Sequence, residues 1–319
     1  MKLQTRLPLK QAENQIDYDS QLLLLGSCFS ENIGRKLEYF KFRTLQNPFG
    51  ILFHPEAIEN LIERAAQKNK YADTDVFFLN ERWQCYEAHS DLSDVSKENL
   101  LKNLNNGLET ALVQLEKATH IIITLGTAWV YRHLTSDKIV ANCHKVPQKE
   151  FAKELLSIDE IVSGLQAVIE FVNSVNKMTQ VIFTISPVRH LKDGFIENQR
   201  SKAHLIAAIH QILNTSDFVP STSYFPSYEL QMDELRDYRF YERDMVHPNQ
   251  LAVDYIWEKF KQVWISESVY QTMNEVETIQ KGIKHRPFYP ESAQHQKFRK
   301  LLEMKIAHIQ EQFPLMEFL

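Results

Sequence analysis

Short apolar runs that stop at a glycine alternate with segments of helical periodicity along most of this chain. The run Leu22–Leu25 ends at Gly26, and the run His120–Leu125 ends at Gly126. Unbroken runs of this kind are typical of strands that are buried on both faces of a parallel sheet. Because such strands alternate with helical segments, the sequence predicts an α/β fold with three layers, a mostly parallel sheet flanked by helices.

The pattern places elements along most of the chain. Further buried strands are expected at 42–45, 181–185 and near Phe218, and antiparallel hairpins at 76–86 and from Trp129 to Ala141. Apolar residues at helical spacing predict helices at 31–39, from Pro55, at 100–115, from Ser157, at 205–213 and at 250–264. The carboxyl ends of parallel strands meet at one edge of a sheet, where ligands bind in such folds.

The last part of the chain is helical in character but contains no further strand. We therefore predict one α/β domain over residues 1–265 and a C-terminal helical extension over residues 266–319. The extension could serve as an appendage, a lid or a dimer arm, and the sequence leaves the oligomeric state open.

Composition excludes several classes of protein. The chain has only 8 glycines among 319 residues, and it contains neither dinucleotide-binding nor P-loop glycine motifs. A net charge of −5 gives no support for binding to nucleic acid or to an anionic membrane. No apolar run suits a signal peptide or a membrane span, and 3 widely spaced cysteines fit a reducing compartment. A cytoplasmic protein without a cofactor is expected.

Two local patterns suggest nucleophilic catalysis. A strand, a tight turn and a helix would place Ser27 or Cys28 at a helix N-terminus, where a cysteine is expected to have a lowered pKa. Much later, Asp244 precedes His247 by three residues, so the carboxylate could orient the imidazole as a base. The pair Cys143–His144, together with His89, lacks the ligand spacing of a zinc site, so no metal is expected.

Together with their order, these patterns resemble the GSCFA family of the SGNH/GDSL hydrolase superfamily. The resemblance covers roughly residues 20–265 and rests on GSCFSENIG from Gly26, NPFGILFHP from Asn47, TLGTAWVY from Thr124, ANCHKVP from Ala141, SPVRH from Ser186 and DMVHP from Asp244. The superfamily pattern laid on the first motif puts Cys28 at the nucleophile, and Ser27 is its rival if the turn is shifted by one residue.

The resemblance also implies an oxyanion site, and this chain departs from the pattern there. Gly50 matches a glycine whose N–H binds the oxyanion, together with the Cys28 N–H. The third superfamily block carries an oxyanion-binding asparagine, but here the stretch from Gly126 has Thr127 and then Ala128. Substitutes for that asparagine, and further residues expected to line the pocket, are Thr127, His89, Asn142, His144 and Arg189.

These inferences lead to an expected activity with open alternatives. The chain is expected to hydrolyse an ester, such as an acylated carbohydrate, through a Cys/Ser-His-Asp triad. A thioester intermediate would equally suit an acyltransferase that uses the same residues. The missing asparagine also allows a catalytically silent binding protein on the same fold. The expected partner is a small-molecule or carbohydrate substrate.

Overall fold

The computed structural model describes residues 4–215 and 222–318. The strands are β1 (Gln21–Gly26), β2 (Arg43–Gln46), β3 (Phe77–Leu79), β4 (Arg82–Gln84), β5 (His120–Leu125), β6 (Trp129–His133), β7 (Lys138–Val140), β8 (Phe151–Leu155), β9 (Gln180–Ile185) and β10 (Thr222–Phe225). The α-helices are α1 (Cys28–Tyr39), α2 (Pro55–Ala66), α3 (Lys97–Lys117), α4 (Ile158–Val175), α5 (Phe195–Leu213), α6 (Ser227–Glu229), α7 (Gln250–Trp264), α8 (Tyr270–Lys284) and α9 (Ala293–Gln312).

A parallel five-stranded sheet in the order β10-β9-β5-β1-β2 forms the centre of the molecule. The predicted mostly parallel sheet flanked by helices is therefore confirmed. From β1 the chain first adds β2 on one side and then crosses to add β5 on the other. In doubly wound folds this change of direction marks the crevice where ligands bind, which here corresponds to the carboxyl ends of β1 and β5.

Alternate residues of each strand face different helices, because side chains point to opposite sides of a sheet. Leu23 and Leu25 of β1 pack in a core with α2, α3, α4 and α5, whereas Leu22 and Leu24 pack in a second core with α1, α7 and α8. Both cores exclude water from the strands almost completely. The apolar runs of the sequence are long because each strand must fill both cores.

The short hairpins and one strand outside the prediction complete the described structure. β3 and β4 form an antiparallel pair around Asn80 and Glu81, and β6 pairs with β7, as the sequence predicts. β8 was not predicted, because its lysine, glutamate, alanine and leucine favour helix; pairing with β6 overrides that preference. The predicted strand near Phe218 lies outside the described residues, and β10 begins at Thr222.

Two helices follow the sheet near the C-terminus. Met273, Val276 and Ile279 of α8 are buried in the core that contains α1 and α7, and Ile309 of α9 reaches the same core. α8 and Ile309 of α9 thus join the core on one face of the sheet, while the division of residues 266–319 from residues 1–265 as a separate unit stays a prediction. Within the described residues, no helix has both the length and the apolar character needed to cross a bilayer.

Candidate active site

The turn after β1 is held tightly against the end of β5. Gly26 has a φ of +131°, a conformation that L side chains rarely adopt, and a side chain there would overlap the Thr124 carbonyl. The Ser27 N–H donates to that carbonyl at 3.0 Å. Because of these contacts, α1 begins directly at the crevice between β1 and β5.

Ser27 and Cys28 have different surroundings at the start of α1. Ser27 caps the helix: its Oγ accepts the Phe29 N–H at 3.3 Å, and the residue is only 2% exposed. Cys28 is the first residue of the helix and is half-buried. The helix thus begins directly after the tight turn, as the sequence predicts, and of the two residues Cys28 has the more accessible side chain.

The expectation of a lowered pKa at Cys28 is wrong. Burial and the Glu31 carboxylate raise the pKa of the thiol, and these effects outweigh the backbone N–H groups of Cys28 and Phe29 and the charge of Lys202, which lower it. Burial raises the pKa of Cys143 to about 11 and that of Cys85 to about 12. A base is therefore needed before Cys28 can act as a nucleophile.

Asp244 and His247 form a closely hydrogen-bonded pair. His247 Nδ1 lies 2.6 Å from Asp244 Oδ2, and Asp244 Oδ1 accepts the N–H groups of Val246 at 2.8 Å and His247 at 3.0 Å. The backbone and side-chain bonds from His247 hold the pKa of Asp244 down to about 2. With Nδ1 bound to the carboxylate, Nε2 is the nitrogen left for other chemistry.

Two sets of contacts bring this pair to the same edge of the sheet as Cys28. Arg189, which follows β9, donates its N–H to Val246 O and its Nη1 to Met245 O, each at 3.1 Å. Lys36 of α1 and Asp254 of α7 form an ion pair at 2.5 Å, so the two helices lie side by side. α1 begins at the carboxyl end of β1, and His247 lies three residues before the start of α7. We call this region, from Cys28 to His247 across β1, β5 and β9, the sheet edge.

Three other expected residues of the sheet edge are engaged with the protein itself. Arg189 stacks over the rings of Phe195 and Tyr241 while it binds the loop of the Asp–His pair. Gly126 donates its N–H to Phe53 O at 2.7 Å. Thr127 Oγ1 lies 2.8 Å from Ser201 Oγ. These contacts fix the walls of the crevice.

The remaining expected residues lie in a second region, formed by residues 85–92 and 141–144, which we call the loop layer. His144 is buried, with Nε2 2.6 Å from Cys85 O and Nδ1 3.2 Å from Ser90 Oγ. Asn142 Oδ1 accepts the His144 N–H at 2.8 Å, and His89 Nδ1 lies 3.2 Å from Asp91. Each of these polar side chains binds a neighbouring protein group and holds the layer together.

The Gly50 N–H, which the resemblance offered as an oxyanion donor, is also used within the protein. It donates to Asn47 O at 2.8 Å in the turn after β2. Gly50 has a φ of +71°, and a side chain there would overlap His89. This amide is therefore not free to bind an oxyanion in the described conformation.

Three polar residues of α5 that the sequence did not single out lie at the sheet edge. Asn198, Ser201 and Lys202 are buried on the same stripe of α5 as Leu205 and Ile209. The signal was present, since polar residues continued an apolar helical stripe toward the N-terminus of the helix. All three bind the segments that follow β5 and β9. Ser201 accepts the Ala128 N–H, and Asn198 accepts the His190 N–H. Lys202 donates to the backbone carbonyls of Gly126 and Ser186.

Two buried nitrogen atoms near these segments have no hydrogen-bond partner in the described structure. One is Asn47 Nδ2, whose side-chain oxygen accepts the Gly26 N–H at 2.9 Å. The other is His190 Nε2, which lies close to Gly126. Burial, with the charges of Lys202 and His247, lowers the pKa of His190 to about 3, so this imidazole is neutral at pH 7.

Comparisons with known proteins complete the description of the site. The model of the GSCFA family matches residues 21–260, and that of the GSCFA domain protein C-terminal domain matches residues 276–318. No curated protein matches the sequence. Among solved structures, a carbohydrate esterase family 3 protein from Talaromyces cellulolyticus is similar, with 9% identity, a TM-score of 0.37, and coverage of 80% of this chain and 99% of the other.

Proposed function

The chain belongs to the GSCFA family, and we propose that it cleaves acyl esters, with Cys28 as the nucleophile and the Asp244–His247 pair as its base. The observation that carries the proposal is the 2.6 Å contact between His247 Nδ1 and Asp244 Oδ2, at the sheet edge where Cys28 begins α1. This contact orients an imidazole whose other nitrogen can take the thiol proton. The membership in the SGNH superfamily that the motifs imply is part of the same proposal.

The proposed reaction has two balanced steps. In the first, His247 takes the Cys28 proton, the sulfur bonds to the acyl carbon, and the ester oxygen leaves with the proton that His247 returns. In the second, His247 takes a proton from water, the resulting hydroxide attacks the thioester carbon, and the released Cys28 sulfur regains a proton. The raised pKa of Cys28 fits a thiol that is deprotonated only during the attack.

The oxyanion formed in each step needs hydrogen-bond donors. The Cys28 N–H lies in the first turn of α1, where backbone N–H groups have no partner within the helix. Asn47 Nδ2 is buried and unpartnered, and its side chain binds the backbone of the turn that precedes Cys28. We propose this amide as the replacement for the asparagine that the third superfamily block would supply.

Replacement of Cys28 tests the function directly. With p-nitrophenyl acetate and acetylated sugars as substrates, Cys28→Ala is expected to lower kcat/KM by about 10³-fold or more, because the nucleophile is lost. The matched control is Cys143→Ala, which removes another half-buried thiol and is expected to retain the wild-type rate. Equal activity in wild type and Cys28→Ala, or no activity in wild type, would contradict the proposal.

The same assay distinguishes hydrolysis from acyl transfer. Glycerol added at increasing concentration competes with water for the acyl-enzyme. Release of free acid at an undiminished rate supports hydrolysis as the reaction. Transfer of most acyl groups to glycerol at low concentration would instead identify an acyltransferase and overturn the hydrolytic step.

A further inference from the structure

The last helix of the chain is only lightly covered by the rest of the protein. The structure describes all 20 residues of α9, and Ile309 alone among them is buried. α8 has only 15 residues but buries Met273, Val276 and Ile279. Most of the stability of a helix in a protein comes from the packing of an apolar face, because an isolated helix is marginal in water. α9 therefore gains less from packing within one chain than its length would allow.

α9 has a second apolar side that the rest of the chain leaves exposed. Ile309 faces the core that contains α1 and α7. Leu301 and Met304 lie outside that core and are 51% and 68% exposed. Among the described residues, 6 of the 16 exposed large hydrophobic side chains belong to the stretch 288–315. Apolar side chains concentrated on one part of a surface mark an interaction site more often than those scattered singly.

The exposed apolar residues lie on one rim of a groove between α8 and α9, with a volume of about 550 Å³. The two helices run in opposite directions, since Gly282 near the end of α8 lies against Phe298 in the first half of α9. The buried Ile279 and Ile309 form the floor. We call this feature the α8–α9 groove. Its rims are formed by Gln271, Asn274, Glu275 and Thr278 of α8 and by Leu301, Met304, Lys305 and His308 of α9.

The two rims of the α8–α9 groove differ in charge. α8 contributes the carboxylate of Glu275 and α9 contributes the ammonium group of Lys305, and each lies midway along its rim. The ion pairs described on these helices involve other residues. An anionic membrane or a nucleic acid would favour positive charge on both rims. Opposite charges at the same level instead suit a partner that carries the same pattern in reverse.

We propose that a second copy of this chain covers the α8–α9 groove in a two-fold dimer. A two-fold axis parallel to the groove places α8 of each copy over α9 of the other. Glu275 of one copy then faces Lys305 of the other, and the contact recurs across the axis, as closed two-fold symmetry requires. Leu301 and Met304 supply the apolar contact between these charge pairs. The inference does not depend on the proposed function.

The mass of the full-length chain in solution tests the dimer. Sedimentation velocity over a wide range of concentration is expected to show twice the mass of one chain for wild type. Met304→Glu is expected to raise the dimer Kd by about 10²-fold or more, because it places a charge in each half of the apolar contact. The matched control is Met178→Glu, which places the same charge at an exposed methionine outside the groove and is expected to leave the Kd unchanged.

A charge reversal tests the arrangement of the two copies. Glu275→Lys is expected to raise the dimer Kd by about tenfold, because it brings like charges together at two places in the interface. Lys305→Glu introduced into the same chain restores opposite charges across the axis, so the double variant is expected to recover most of the wild-type affinity. A double variant that binds no better than Glu275→Lys would overturn the proposed arrangement.

A measurement on the unsubstituted chain remains if a variant does not fold. Unlabelled and ¹⁵N-labelled wild-type chains are mixed, and a water-soluble carbodiimide joins carboxylates to amines that are in contact. A cross-linked peptide that contains Glu275 from one kind of chain and Lys305 from the other supports the inference. A dimer in which this pair is joined only within chains, or not at all, overturns the arrangement.

The other outcomes assign the groove to a different occupant or to none. A wild-type chain that is monomeric at every concentration overturns the inference, as does a dimer that Met304→Glu leaves unchanged. A monomer that sediments with vesicles containing phosphatidylserine, and loses this binding in Met304→Glu, would assign the groove to a membrane surface and equally overturn the inference. Oligomeric state and esterase activity are measured separately, so the failure of either proposal leaves the other in place.

Discussion

The sheet edge and the loop layer contain the same kinds of polar residues but use them differently. In the loop layer, His144 binds protein groups through both ring nitrogens, and Asn142 and His89 also have partners within the protein. At the sheet edge, His190 Nε2 and Asn47 Nδ2 are buried without a partner, and Lys202 is enclosed without a carboxylate.

Whether a buried polar group has a hydrogen-bond partner helps to distinguish a structural group from a functional one. A buried polar group without a hydrogen bond destabilises a protein, whereas a paired one is nearly neutral or stabilising. Unsatisfied groups therefore persist where another constraint retains them, such as the binding of a substrate or a developing charge. The proposed function assigns the reaction to the sheet edge and a supporting role to the loop layer, and the unpartnered atoms at the sheet edge favour that assignment.

Among substitutions that test the contrast between the sheet edge and the loop layer, we expect the largest loss of activity at Asp244. Asp244→Asn should lower kcat for ester cleavage by about 10²- to 10⁴-fold, because an amide cannot stabilise the imidazolium that forms on His247. Its effect on the free energy of unfolding should be small, since the pair is about half exposed. Steady-state kinetics and thermal unfolding of the same preparation measure both quantities.

A matched control for this substitution is available on α7. Asp254 has a side-chain exposure of 47%, close to the 49% of Asp244, and also pairs with a cation, Lys36. Asp254→Asn is expected to retain the wild-type kcat. A loss of activity of the same size in both variants would show that the Asp244 carboxylate has no special role.

An intermediate effect is expected for a paired and buried histidine, His54. Its Nδ1 accepts the Ala57 N–H and its Nε2 contacts Val140 O, and burial lowers its pKa to about 4. Between pH 6.5 and 4 the unfolded chain therefore binds the proton more readily than the folded one, and the free energy of unfolding should fall as pH is lowered through this range. The contribution of this group is about 3 kcal/mol at most.

Urea unfolding between pH 7 and pH 4 measures this dependence. His54→Gln should reduce the slope of stability against pH, because the proton-binding group is removed. The exposed His285, replaced by Gln, serves as the control and should leave the slope unchanged. A slope that does not change in His54→Gln would mean that other groups account for the acid sensitivity.

The smallest effect is expected in the loop layer itself. His144→Ala should lower the free energy of unfolding by about 1–3 kcal/mol, because it leaves the Cys85 carbonyl and the Ser90 hydroxyl without their partner. The kcat of ester cleavage should stay within about twofold of wild type in urea-free buffer, as long as the variant is folded. A tenfold loss of kcat in a folded variant would assign the loop layer to the reacting region and break the comparison.

The sequence alone determined the architecture and the local elements of the site. Apolar runs ended by Gly26 and Gly126 predicted the parallel strands, because residues buried on both faces must be apolar throughout. The spacing of Asp244 and His247 predicted their hydrogen bond, since three residues suffice to close that loop. Ser27 and Cys28 were singled out together for the same reason, because the start of a helix after a strand is a local feature. The choice of Cys28 between them came from the family resemblance.

Only the tertiary structure decided the electrostatics of the site and the role of each polar residue. The pKa of Cys28 is raised rather than lowered, because burial by distant segments outweighs the start of its own helix. Asn142, His144 and Lys202 could not be sorted by residue type, since their roles depend on whether a distant part of the chain supplies a partner. The burial of a side chain and its hydrogen-bond partners depend on contacts with the whole fold. Periodicity and spacing, in contrast, depend only on residues that are close in the sequence.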